Sequence, residues 1–91
     1  MKTYLISYDL LKKNIYDYSK LIDYIKTYGT WAKPLESFWL VKTGKDIASV
    51  RDELVTKVSP GDKIIVMDIT GTSWASSSIS KEVTDWMKEN M

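Results

Sequence analysis

An α+β sandwich, with a four-stranded antiparallel sheet and two helices on one face, is the fold class that three features of this sequence predict. Short runs rich in aromatic and β-branched residues alternate with stretches whose apolar residues recur at helical spacing. Glycine and proline punctuate the junctions, at Gly29, Pro34, Gly44 and Pro60-Gly61. The 91-residue length suits one core rather than two.

Taken in order, Thr3 to Asp9 reads as a strand, and residues 10–16 as a connecting loop carrying the basic pair Lys12 and Lys13. From Asp17 or Ser19 onward, Leu21, Ile22, Ile25 and Tyr28 mark a helix that Gly29 stops. Thr30 to Lys33 forms a short strand, ended by Pro34 because proline has no backbone N–H to donate. Ser37 to Lys42 is a second β-prone run. After the turn 43–46, Ile47, Val50, Leu54 and Val58 define another helix, closed by Pro60-Gly61-Asp62. Lys63 to Ile69 is the last core strand. The order βαββαβ, with two right-handed crossovers, gives the ferredoxin-like split βαβ over residues 1–69. Residues 70–91 differ in character. A Gly/Ser/Thr-rich loop holding Trp74 leads into an amphipathic C-terminal helix with Ile79, Val83, Trp86 and Met87, packed on the same domain or on a dimer mate.

Composition narrows the chemistry. There is no cysteine and no histidine, which removes disulfides, iron–sulfur sites, thiolate nucleophiles, most zinc sites and any imidazole base. Catalysis, if any, must use carboxylates, hydroxyls and a borrowed metal ion. The 13 basic and 12 acidic residues give a net charge of +1, without the excess expected of a duplex-DNA binder. Arg51 is the only arginine, which argues against bidentate base readout. No apolar run reaches the ~20 residues of a membrane span, and Met1-Lys2-Thr3 leads directly into strand-like sequence. A soluble cytoplasmic protein with no membrane partner is therefore expected.

Asp9, at the carboxyl end of the first strand, is the first candidate for function. It suits a hard divalent cation such as Mg²⁺, or else it ends the strand and caps the following turn. Asp68 lies near the end of the last strand. If the two strands flank each other, Asp9 and Asp68 become neighbours that share a metal; otherwise Asp68 is an exposed strand-end acid. Ser37, Phe38 and Trp39 place a hydroxyl and two aromatics on the middle strand, fit for base stacking or for a core or dimer interface. Lys12 and Lys13 suit phosphate contact. Thr70-Gly71-Thr72-Ser73 is similar to an anion nest but lacks the spacing and lysine of a P-loop. Four tryptophans and six tyrosines exceed what so small a core hides, so the open sheet face or the last helix is expected to be buried in a two-fold homodimer.

The segment Tyr4-Leu5-Ile6-Ser7-Tyr8-Asp9-Leu10, the βαββαβ order and Ser37-Phe38-Trp39 together resemble a known family. They are similar to the small CRISPR-associated endoribonucleases that form the dimeric core of the spacer-integration complex. The virulence-associated D-type toxin ribonucleases belong to the same superfamily. The resemblance covers roughly residues 1–69. It implies a dimeric, metal-dependent endoribonuclease in which Asp9 binds Mg²⁺ and acts catalytically, with Tyr8 beside it. Ser37 and Trp39 match a Ser-x-Phe pattern in part, and Lys12 and Lys13 are loose counterparts of basic residues. The chain departs from the family in its missing arginines, near-neutral charge and Trp-bearing terminal helix, as a diverged, stand-alone relative would. The alternative is a non-catalytic dimeric protein, such as a phage or mobile-element sequestering or regulatory factor, that holds RNA or a small nucleotide among Trp39, Trp74, Trp86 and nearby lysines.

Overall fold

The computed structural model describes residues 1–11 and 15–91. Its elements are β1 (Lys2–Asp9), α1 (Ile15–Ile25), β2 (Thr30–Leu35), β3 (Phe38–Thr43), α2 (Ile47–Val55), β4 (Lys63–Asp68) and α3 (Lys81–Asn90). The strands form one antiparallel sheet in the order β2-β3-β1-β4, the arrangement of a ferredoxin-like fold with an added C-terminal helix. No helix among the described residues is long and apolar enough to cross a membrane.

Side-chain alternation divides the sheet into two faces. Tyr4, Ile6 and Tyr8 of β1, with Trp39 and Val41 opposite them on β3, pack against Leu21, Ile25, Val50 and Leu54 from α1 and α2. Each fully buried Leu or Ile here contributes about 1.5–3 kcal/mol. Helix α1 starts at Ile15, earlier than Asp17 or Ser19. It continues into a 3₁₀ turn, Lys26–Tyr28, that brings Tyr28 into the core. Gly29 then adopts φ 102°, a conformation that glycine alone takes without strain. Helix α2 is capped by Asp46, whose carboxylate accepts the Ser49 N–H at 2.7 Å. It ends at Val55, and Val58 packs on the core from beyond its end.

Strand β2 corrects one expectation. It runs through Pro34 to Leu35, because β2 is an outer strand and a missing donor costs nothing on the side that faces no neighbour. Its pairing with β3 is irregular between Ala32 and Leu35. Strand β3 begins at Phe38, not Ser37; Ser37 sits in the tight turn with φ 52°. Strand β4 ends at Asp68, although the Ile69 N–H still bonds the Thr3 carbonyl at 2.9 Å.

For the C-terminal helix, expected on its own domain or on a dimer mate, the structure gives the first placement, on the sheet face turned away from α1 and α2. Helix α3 of the same chain lies on it. The indole N–H of Trp86 donates to Thr30 Oγ1 at 2.7 Å, and the Thr3 hydroxyl donates to the Asn90 carbonyl. Thr30, Lys42 and Thr3 form one row across β2, β3 and β1, so α3 crosses the strands there. Ala32 and Leu40 are buried on this same face. The uncovered part is the opposite corner, where Ile65 and Met67 of β4 are 54% and 50% exposed.

Candidate functional site

Asp9 stands exposed at the end of β1, level with Lys63 of β4, on the uncovered part of the open face. Ser7, Tyr8, Asp9, Lys63, Ile64 and Ile65 line a shallow depression of about 240 Å³. Asp68 is elsewhere. The two strands do flank each other, but they run antiparallel, with Tyr4 opposite Asp68 and Asp9 opposite Lys63. Five residues of extended chain separate the two acids along the sheet, about 17 Å. One ion cannot be held by both within a protomer.

Asp68 has a structural task instead. Its Oδ1 accepts the Thr70 hydroxyl at 2.7 Å and the Thr70 N–H at 3.0 Å, and Thr70 Oγ1 accepts the Thr3 N–H at 2.8 Å. These bonds tie the start of β1 to the end of β4. The Thr70 hydroxyl, with help from its N–H, holds the Asp68 carboxyl below the usual range. Among the described residues no group of three or more acidic side chains is placed to hold a metal. Asp9, opposite a lysine on the neighbouring strand, is by itself a poor donor set for Mg²⁺, which needs near-octahedral oxygen ligation. Among the described residues of one chain, Asp9 and Asp68 do not together make a site for that ion.

Tyr8 and Trp39, expected to meet a nucleobase, belong to the core. Trp39 is 2% exposed and its indole N–H donates to the Tyr8 hydroxyl at 3.1 Å. Tyr8 is also buried, with the Tyr18 ring 6.0 Å away. Neither ring offers a free π-face to solvent. Ser37 contributes its carbonyl, which accepts the Ser7 hydroxyl at 2.9 Å and fastens the β2–β3 turn to β1. Trp74 is half-buried in the loop before α3. Lys12 and Lys13 lie outside the described residues.

Two groupings were not foreseen from the sequence. The first is a cleft of about 280 Å³ between β2 and α3, lined by Trp31, Ala32, Lys33, Glu82, Val83 and Trp86. Trp31 is 37% exposed, its ring centroid 5.2 Å from that of Trp39, and Lys26 Nζ lies 5.2 Å from its centroid. Lys33 Nζ stands 5.4 Å from the Trp39 ring. Trp31 pairs with Val41 on the helix-facing side of the sheet, so its indole, the Trp39 ring and the Lys26 and Lys33 ammonium groups form one aromatic and cationic cluster there, while Trp86 and Glu82 of α3 lie on the other side of β2. The second grouping joins three segments. Glu53 of α2 accepts the hydroxyls of Tyr24 and Tyr28 on one oxygen, at 3.1 and 2.7 Å, and the Lys45 ammonium on the other, at 2.8 Å. Burial, and then Glu53, push the Tyr28 hydroxyl far above its ordinary pKa, so it remains a donor.

Comparison with family models, with curated proteins and with solved structures gives no match.

Proposed function

We propose that this protein is a non-catalytic binding module that takes a nucleotide, free or within a short single strand of RNA, on the Trp31 side of the outer strand β2. The observation that carries the reading is the exposed Trp31 indole on an outer strand, beside the Trp39 ring, with the Lys26 and Lys33 ammonium groups close to the pair. Indole faces accept any base by stacking, at about 1–3 kcal/mol per base, and ammonium groups attract the phosphate. Among the described residues, no activated nucleophile or paired acid and base stands beside Trp31, which suits holding rather than cutting.

Intrinsic tryptophan fluorescence, titrated with mono-, di- and cyclic nucleotides and a short oligoribonucleotide, tests the reading. Binding should change the emission and weaken as salt rises. Trp31→Ala should lower the affinity by roughly 5- to 150-fold, the equivalent of one lost stack. An emission unchanged by every ligand rules the proposal out.

Asp9 favours a second reading, a metal-dependent endoribonuclease of the CRISPR-associated small-subunit type. The carboxylate is exposed at the end of β1, on a face that a second copy could approach to supply another Asp9. Under this reading, purified protein cuts RNA in Mg²⁺ or Mn²⁺ and Asp9→Ala abolishes the cleavage. Equal cleavage by the variant would identify a contaminating nuclease.

A further inference from the structure

The two outer strands of the sheet are treated very differently. Strand β2 carries Pro34, a pairing irregularity after Ala32 and the partial cover of α3, all of them devices that discourage pairing with another strand. Strand β4, Lys-Ile-Ile-Val-Met-Asp, has no proline and an unbroken register with β1. Its hydrogen-bonding sides follow from one bond. The Ile69 N–H reaches the Thr3 carbonyl, so odd-numbered positions of β4 point their backbone at β1. Ile64, Val66 and Asp68 therefore turn their N–H and C=O groups outward from the sheet.

Apolar surface flanks this edge on both faces. Ile65 and Met67 stand half exposed on the open face. On the other face α2 presents Ile47, Arg51 and Val55 at successive helical turns, with Ile47 and Val55 38% and 53% exposed. Two adjoining hollows of about 290 and 410 Å³ run between this stripe and β4. Arg51, the charge in the stripe, is already held by Asp52 at 2.9 Å. A strand apolar on both faces is the pattern of an interior strand, not an outer one.

We propose that β4 is the seam of a two-fold homodimer, pairing antiparallel with β4 of a second copy to make one continuous sheet. The strand is complementary to itself. With Val66 opposite the partner's Val66, Ile64 meets the partner's Asp68 backbone, and all three outward-facing positions on each strand are bonded. On the open face the same register sets Ile65 directly against the partner's Met67, closing the most exposed apolar pair over itself. Antiparallel pairing also brings the Lys63 end of each strand beside the Asp68 end of the other, whereas parallel pairing would set like charges together. The stripes on the two α2 helices then face each other above the seam. This dimer is independent of the nucleotide-binding reading, because Trp31 lies on β2, at the far side of the sheet. It also leaves the two Asp9 carboxylates more than about 20 Å apart, too far to share an ion.

Light scattering and amide hydrogen exchange on the intact chain test the seam. At micromolar concentration the mass should be twice the 10.5 kDa of one chain. Ile65→Lys should return it to one chain mass while keeping a cooperative melt. In the unaltered protein, the Ile64, Val66 and Asp68 amides should exchange at least tenfold more slowly than solvent-exposed amides. A chain-mass species at 100 micromolar or so overturns the proposal, as does a dimer that survives Ile65→Lys. Fast exchange at those three amides overturns it too, even in a dimer, since packing through the open faces would leave them facing water. The exchange measurement needs no variant, so a misfolded Ile65→Lys cannot shield the proposal.

Discussion

Replacing Trp39 by alanine should bring the folded state close to its limit. The side chain is 2% exposed, lies opposite Ile6 on the helix-facing side of the sheet, and shares its indole N–H with the Tyr8 hydroxyl. Truncation removes the largest side chain of the core and leaves a cavity, a change that costs about 3–5 kcal/mol. Domains of this size hold roughly 5–15 kcal/mol in all. The melting temperature should therefore fall by roughly 15–30 °C in a thermal scan. Trp39→Phe should fall much less, since it keeps most of the volume and loses only the bond to Tyr8. The pair of variants also separates structure from recognition. Trp39→Phe should bind nucleotides nearly as the parent does, whereas Trp31→Ala should bind poorly and still fold. A Trp39→Ala protein that melts within a few degrees of the parent would show that the ring is not core.

The difference between Trp39 and Trp31 marks where sequence reasoning stops. The order of elements was legible, because the punctuating residues Gly29, Gly44 and Pro60-Gly61 sit between segments of distinct period. Which face a β3 residue occupies was not. Trp39-Leu40-Val41 is apolar without alternation, since α1 and α2 bury one side of β3 while the C-terminal segment lies on the other. The Asp9–Asp68 pairing failed for a reason contained in the topology itself. In this strand order β1 and β4 are adjacent and antiparallel, so the carboxyl ends of the two strands fall at opposite edges of the sheet. The grouping of Trp31 with Trp39 and two lysines had no local signal. Its parts meet only when β2 pairs with β3 and the 3₁₀ turn brings Lys26 alongside.

A partial signal did exist for the cluster around Glu53, in the i, i+4 spacing of Tyr24 and Tyr28, whose rings meet edge to face at 5.6 Å. Their shared acceptor lies on α2, and the third donor, Lys45, lies in the turn before it; the Lys45 carbonyl in turn accepts the Tyr4 hydroxyl at 2.7 Å. One carboxylate thus ties α1, the following 3₁₀ turn and the entry to α2. Glu53→Ala strips an ionised acceptor from two tyrosines and a lysine, and hydrogen bonds to charged groups are worth about 1.5–3 kcal/mol each before overlap. The expected loss is about 2–3 kcal/mol, or roughly 10–20 °C in melting temperature. The bond from Lys45, followed by that from Tyr28, holds the Glu53 carboxyl below its ordinary value. A carboxylate with a depressed folded-state pKa stabilises the fold above its unfolded value, near about 4.3, and that stability is lost as pH falls through the folded value. The parent should accordingly melt at a constant temperature from pH 8 to pH 5 and progressively lower beneath that. Glu53→Gln keeps an oxygen for the tyrosines but sets an amide against the Lys45 ammonium. Its melting temperature should be lower than the parent's at pH 7 and should change less on going to pH 3. Some acid sensitivity should persist in the variant, because Asp46 and Asp68, lowered mainly by bonds from Ser49 and Thr70, titrate in the same window. Melts of the two proteins at pH 7 and pH 3 decide the matter: equal slopes would mean that Glu53 does not couple folding to protonation.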